Sequence, residues 1–257
     1  MFSPALRHRQ EKLARHAAQA AAGMSGRTLE PGAAPEMPEE GPVASEYRQL
    51  LIPLHEDLRA LKSVQSMENK AAFKATAIEK YLDWCRGAIA TPEGEAAPQD
   101  EIVATCLIWA IDIRRWQLAL DLAGHMTRHG LSLPEHYKRS VAALLVSEMG
   151  DAAINDPGSV PPEALQAALY YVAPAFDMKD SYRARLHRAL GESLQREAEK
   201  FDPTAETAMA GGKPALVDVA LAAMRRALEL GKNVGVKKQI EQLEREAKKL
   251  AAAAEGN

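Results

Sequence analysis

The sequence predicts an all-α protein, and three observations carry that prediction. Apolar residues recur at steps of three and four from about Glu46 almost to the end of the 257 residues. The core is aliphatic, with 47% apolar residues against 5% aromatic, a composition that suits closely packed helices better than sheets. No stretch alternates with the period of two that a half-buried strand requires. Small residues at comparable places, Ala119-Leu120 and Ala227-Leu228, point to a repeat-like bundle of helical hairpins without a repeat of fixed length. A flexible basic N-terminal arm precedes it.

The elements follow in order. Residues 1–27 carry Arg7, Arg9, Lys12, Arg15 and Arg27 against one acid, Glu11, and Leu6, Leu13 and Ala17 are spaced for a weak amphipathic helix. Residues 28–45 are a linker, where Glu30, Glu36, Glu39 and Glu40 alternate with Pro31, Pro35, Pro38 and Pro42. Proline at that density opposes regular helix. Residues 46–200 form a central helical domain. Tyr47, Leu50, Leu51, Leu54, Leu58 and Leu61 share a face, with a break or kink at Pro53. Phe73, Ala77, Tyr81, Leu82 and Trp84 make a second helix, ended with the help of Gly87 and Pro92.

Ile102, Cys106 and Trp109 define a third helix, and Leu118, Leu122 and Met126 a fourth, stopped by Gly130 and Pro134. Val141, Leu144, Leu145 and Ala152 mark the next, closed by Asp156-Pro157-Gly158. Pro161-Pro162 opens a helix with Leu165, Leu169 and Val172 on one face. Ser181 caps one carrying Leu186, Leu190 and Leu194. Residues 201–214 read as a loop, and residues 215–257 as a C-terminal hairpin split near Gly231 and Gly235.

Composition excludes several classes. A net charge of −3 argues against a uniformly basic nucleic-acid coat. Cys85 and Cys106 have no CxxC partner and read as small buried hydrophobes. No apolar run approaches the roughly 18 to 20 residues of a membrane span, and the basic N-terminus lacks a signal peptide's apolar core. A cytoplasmic protein is expected. No Gly-rich phosphate loop of the Walker kind is present, so ATP hydrolysis is assigned elsewhere.

For DNA, the basic arm is the first candidate, with Arg7, Arg9, Lys12 and Arg15 suited to neutralising phosphates. Arg183, Arg185 and Arg188 around His187 are a second. Arg114-Arg115 invite a helix-turn-helix reading of residues 102–129. However, Trp116, Leu118, Ala119 and Leu120 occupy the turn that should read bases, so that segment is scaffold. Metal-dependent cleavage needs converging carboxylates. Asp112 and Asp121 are nine residues apart, and Asp177 and Asp180 flank a helix start, where an acid serves as a cap. No catalytic residue is assigned. His125 and His129, at i and i+4 with His136 beyond, lack an HExxH context and read as a polar helix end. Val236, Ile240, Leu243, Ala247 and Leu250 form a short heptad seam. It suits either docking within the chain or a partner surface at Val236, Ile240, Leu243 and Leu250.

Several segments carry a family likeness: Ser3-Pro4 with Arg7-His8, and residues 47–62, YRQLLIPLHEDLRALK. Trp109, Asp112, Ala119-Leu120, His129-Gly130-Leu131 and Pro134 add to it, with RARLHRAL from Arg183 and the closing helices from Met224 to Leu250. In these the chain resembles the phage terminase small subunit family of temperate contractile-tail phages, whose members are also named terminase endonuclease subunit. The resemblance implies an oligomeric, ring-forming protein in the host cytoplasm. Such a protein binds double-stranded viral DNA at the genome end and recruits the large ATPase and nuclease subunit for cutting and packaging. It implies no cofactor in this chain; Mg²⁺ enters only under the alternative of an endonuclease that itself makes the cut. A helical-repeat adaptor that binds only protein is the third reading.

Overall fold

In the computed structural model, residues 4–22, 34–175, 177–202 and 212–255 are described, and every regular element among them is helical. The chain divides into two units, Met1–Val141 and Ala142–Asn257. That division falls inside the 46–200 span that the sequence reading treats as one domain. Arg27, the start of the linker and most of the 201–214 loop lie outside the described residues.

The first unit holds α1 (Pro4–Ala22), α2 (Gly41–Ser63), α3 (Met67–Ala77), a 3-10 turn (Ile78–Lys80), α4 (Leu82–Ile89), α5 (Glu101–Asp112) and α6 (Trp116–Arg128). At its centre is α5, with Ile102, Val103, Ala104, Cys106, Leu107, Trp109 and Ala110 all buried. A helix apolar around most of its circumference belongs in the middle. Asp100 starts it: one carboxylate oxygen accepts the Ile102 and Val103 N–H groups at 2.9 and 3.0 Å, and the other accepts the Trp84 indole N–H at 2.7 Å. Tyr81 meets Trp109 edge-on at 6.1 Å, and Tyr47 lies 5.6 Å from Trp84 while accepting the Glu101 N–H at 2.8 Å.

Three local expectations shift. The second helix begins at Gly41 with Pro42 in its first turn and runs unbroken through Pro53. The helix expected from Phe73 to Trp84 is divided by the 3-10 turn, which brings Ile78 and Tyr81 into the core. Gly87 does not end a helix but lies inside α4, where α1 crosses. A Cβ there would stand 2.5 Å from the Glu11 carbonyl oxygen and 2.6 Å from the Ala14 Cβ. The basic N-terminal segment is therefore a helix seated on α4 and α2, its inner face Gln10, Ala14 and Ala17.

The second unit holds α7 (Val141–Asn155), α8 (Pro162–Ala167), α9 (Asp180–Glu199), α10 (Gly212–Leu230) and α11 (Lys237–Glu255). Antiparallel α9 and α10 are its most extensive pair; Leu186, Leu190 and Leu194 face Val217, Leu221 and Met224 in a buried interior. They approach closely at Gly191, where a Cβ would meet the Met224 Cγ at 2.5 Å. The Arg185–Asp151 pair at 2.6 Å ties α9 to α7.

Lys179, not Ser181, occupies the N-cap of α9, and its side chain makes no cap bond. Asp180 supplies the favourable first-turn charge instead. After α8 the chain widens into a π-helical turn, Ala168–Val172. This breaks the expected Leu165-Leu169-Val172 face: Leu165 and Val172 are buried, Leu169 is half-buried, and Tyr170 and Tyr171 are 71% and 81% exposed. Gly212, Lys213 and Pro214 open α10 rather than close a loop.

Candidate nucleic-acid interface

The α1 cations divide between two faces. Residues 7, 10, 14 and 17 recur with helical spacing and point toward α4 and α2, whereas Lys12 and Arg15 lie on the outer, exposed surface. On the inner edge, the Arg7 guanidinium lies 3.7 Å from the Asp83 carboxylate, and that of Arg9 lies 3.5 Å from Glu46. Gln10 donates to Glu46 at 3.2 Å, and Glu11 on α1 faces Arg86 on α4 at 3.5 Å. Arg86 also pairs with Asp83. The Asp83 and Glu46 side chains are 7% and 6% exposed; those of Arg7 and Arg9 are 48% and 60% exposed. The structure thus splits the four arginines and lysines of the expected DNA contact. Arg7 and Arg9 have carboxylate partners within the chain, and Lys12 and Arg15 face solvent.

The second basic candidate is largely engaged. Arg183 pairs with Asp180 at 2.8 Å, and Arg185 with Asp151 while lying 5.6 Å from the Tyr182 ring. Arg188 pairs with Glu192 at 2.8 Å and donates to the Val234 carbonyl at 2.9 Å. Burial between these helices pushes His187 down to about 4, helped by Arg226 and Arg183.

That Arg188 contact supports the turn between α10 and α11, which exposes Lys232, Lys237 and Lys238. The sequence reading passed over these three. Their signal is lysines on both sides of Gly235, whose φ of +83° shapes the turn. It also missed Glu46 and Asp83, each an acid beside a core aromatic, Tyr47 and Trp84.

The seam proposed for a partner is occupied within the chain. Val236, Ile240 and Leu243 are buried in the α10–α11 hairpin, and Leu250 is half-buried. On the outer side of α11, Glu241 and Arg245 pair at 3.6 Å, and Glu244 reaches across to Arg225 on α10 at 2.7 Å.

The acids considered for cleavage are dispersed. Asp112 binds Lys74 at 2.5 Å, Asp121 accepts from Gln117 at 2.9 Å, Asp180 pairs with Arg183, and Asp177 is exposed. His125 and His129 lie with ring centroids 4.8 Å apart, and His129 Nδ1 is 2.9 Å from the Glu95 carbonyl oxygen. Burial, their proximity and Arg128 push His125 down to about 3; burial also lowers His129. His136 lies against the Tyr137 ring, centroids 4.5 Å apart and tilted by 47°, instead of joining them. Among the described residues, no three His, Cys, Asp or Glu side chains converge to hold a metal ion. In the second unit, a cleft of about 760 Å³ is lined by Pro161, Glu163, Arg196, Lys200 and Phe201 among others. No described helix is long and apolar enough to cross a membrane.

The family described as phage small terminase subunit matches residues 51–181. The terminase, endonuclease subunit of Escherichia phage P2 is 34% identical over 208 residues, covering 80% of this chain and 76% of that protein. No solved structure matches.

Proposed function

Since the chain belongs to the phage small terminase subunit family, we propose that it binds viral genome-end duplex in the host cytoplasm and delivers it to the large ATPase and nuclease subunit. The observation that carries this reading is the outer face of α1. Lys12 and Arg15 stand exposed there one helical turn apart, on a helix otherwise anchored by its opposite side. Cations three or four residues apart on a helix can meet adjacent phosphates, and each contact releases condensed counterions. The exposed lysines of the α10–α11 turn are a second patch of the same chemistry.

Each patch is small, so tight binding requires several copies acting on one duplex. A ring of subunits supplies that avidity without new contacts. For the large subunit, the outer end of α11 around Leu250 is the accessible part of the seam, because Val236, Ile240 and Leu243 would have to be uncovered first. The P2 relative is an endonuclease subunit by name, which supports a second reading in which the chain itself cuts.

A duplex titration over a salt series tests the first reading. Lys12→Ala with Arg15→Ala removes two phosphate contacts and flattens the dependence of log K on log salt by about 1.8. Equal slopes for wild type and variant move the contact away from α1. Absence of binding at low salt rejects DNA recognition by this chain.

A further inference from the structure

We infer that α1 is a self-inhibiting clasp: Asp83 and Glu46 occupy Arg7 and Arg9 in the places DNA phosphates would take, so duplex and the α2–α4 surface compete for the same two guanidinium groups. This rests on the reading of α1 as a DNA contact. The charges are matched in sign and order along the seam, Arg7 to Asp83, Arg9 to Glu46 and Glu11 to Arg86. The carboxylates are almost wholly covered, whereas about half of each arginine side chain remains open to solvent. A phosphate can therefore approach either guanidinium from outside before its internal pair has broken.

The seam is also built for release. Among the described side chains, the buried apolar ones on α1 are small, Ala14 and Ala17. The buried Gln10 Oε1 finds no hydrogen-bond partner in the docked state, so docking carries a desolvation penalty that undocking removes. When Arg7 leaves, Asp83 keeps Arg86 as its partner, and no bare carboxylate is stranded at that end. Clasp and DNA share one mechanism, charge pairing at a partly wet surface. Salt therefore weakens both, which makes the wild-type salt dependence shallower than its phosphate contacts alone would give.

Two variants of the full chain test this by fluorescence anisotropy with a labelled duplex. Asp83→Asn with Glu46→Gln keeps the shapes but frees the arginines, and affinity rises about five- to tenfold if the competent state is otherwise populated at a tenth to a fifth. Gly87→Ala acts without touching any charge: its Cβ would stand 2.5 Å from the Glu11 carbonyl oxygen, so it levers α1 off α4 and raises affinity by a similar factor. It decides the matter if the first variant is poorly folded. Affinity equal to wild type in both variants overturns the clasp and leaves DNA binding standing. Failure of every form to bind overturns the DNA reading itself, and the clasp with it.

Discussion

His125 is 1% exposed, and its Nδ1 has no hydrogen-bond partner, so it titrates against the fold. Burial, His129 and Arg128 lower it to about 3, from about 6.5 in an unfolded chain. Its folded value is depressed, so the unfolded chain binds more protons between those values. The contribution is fully present above about 6.5 and is lost as pH falls toward 3, at up to about 1.4 kcal/mol per pH unit. His129 and His187 are lowered by burial and act with the same sign. Asp100 opposes them. Burial raises it to about 6 against three N–H donors that pull it down, so it favours the folded state increasingly as pH falls through 6. Glu197, also raised by burial, joins Asp100, and three histidines against two carboxyls leave a net loss on acidification. Urea midpoints at pH 7 and pH 5 should show His125→Leu less acid-sensitive than wild type, by roughly one proton's worth of slope. An unchanged difference between the two pH values would place the titration elsewhere. Asp100→Ala removes the acceptor of the Trp84, Ile102 and Val103 N–H groups and should cost about 3 kcal/mol in the same assay. A cost near zero would mean that solvent replaces the carboxylate there.

At the scale of elements, Gly87 offers the sharpest contest between local and tertiary preference. Helix propensity alone says that Gly87→Ala inside α4 stabilises by about 1 kcal/mol. The crossing says the opposite, because the new Cβ would lie 2.8 Å from the Glu11 Cα as well as against its carbonyl, and backbone cannot step aside as a side chain can. A net loss of about 1 to 3 kcal/mol, with faster proteolysis within residues 4–22, is expected; stabilisation would mean that α1 does not press on α4. This glycine also shows what the sequence could convey. The apolar periodicity located the helices, since burial of one stripe is written in consecutive residues, and the Trp109 and Trp116 segment was readable as scaffold because its turn is apolar. Partnerships are not written locally. Gly87 looked like a stop signal until α1 was placed over it, and Pro53 looked like a break although α2 continues through it. Arg7 and Arg9 looked like free cations because their carboxylates lie 76 and 37 positions further along the chain.

For the whole molecule, the open choice is between a subunit that presents DNA and one that cuts it. Two-metal cleavage needs carboxylates whose oxygens approach the same ions, with coordination positions left for phosphate and water. Such acids are hard to hold together without the metal, because like charges at that distance repel, so they leave a visible cluster of raised or split titrations. Here the candidates are committed one by one to cations or amides: Asp112 to Lys74, Asp121 to Gln117, Asp180 to Arg183, Asp151 to Arg185 and Asp57 to Lys80. Asp57 also accepts the Tyr81 hydroxyl at 2.7 Å, and Asp100 is filled by three donors. These acids act as struts and caps: the Asp112, Asp151 and Asp57 pairs each join two helical elements, and the Asp121 and Asp180 pairs each lie within one helix. The chain alone, incubated with supercoiled plasmid and Mg²⁺ or Mn²⁺, should therefore leave the plasmid intact while still binding it at low salt. Nicking that co-purifies with the chain and disappears in Asp112→Asn or Asp121→Asn would reverse the assignment. Nicking that survives both would point to an acid outside those struts or to a contaminating nuclease, which repeating the assay on the Lys12→Ala, Arg15→Ala protein would separate. Cutting that follows the chain's own DNA affinity belongs to the chain.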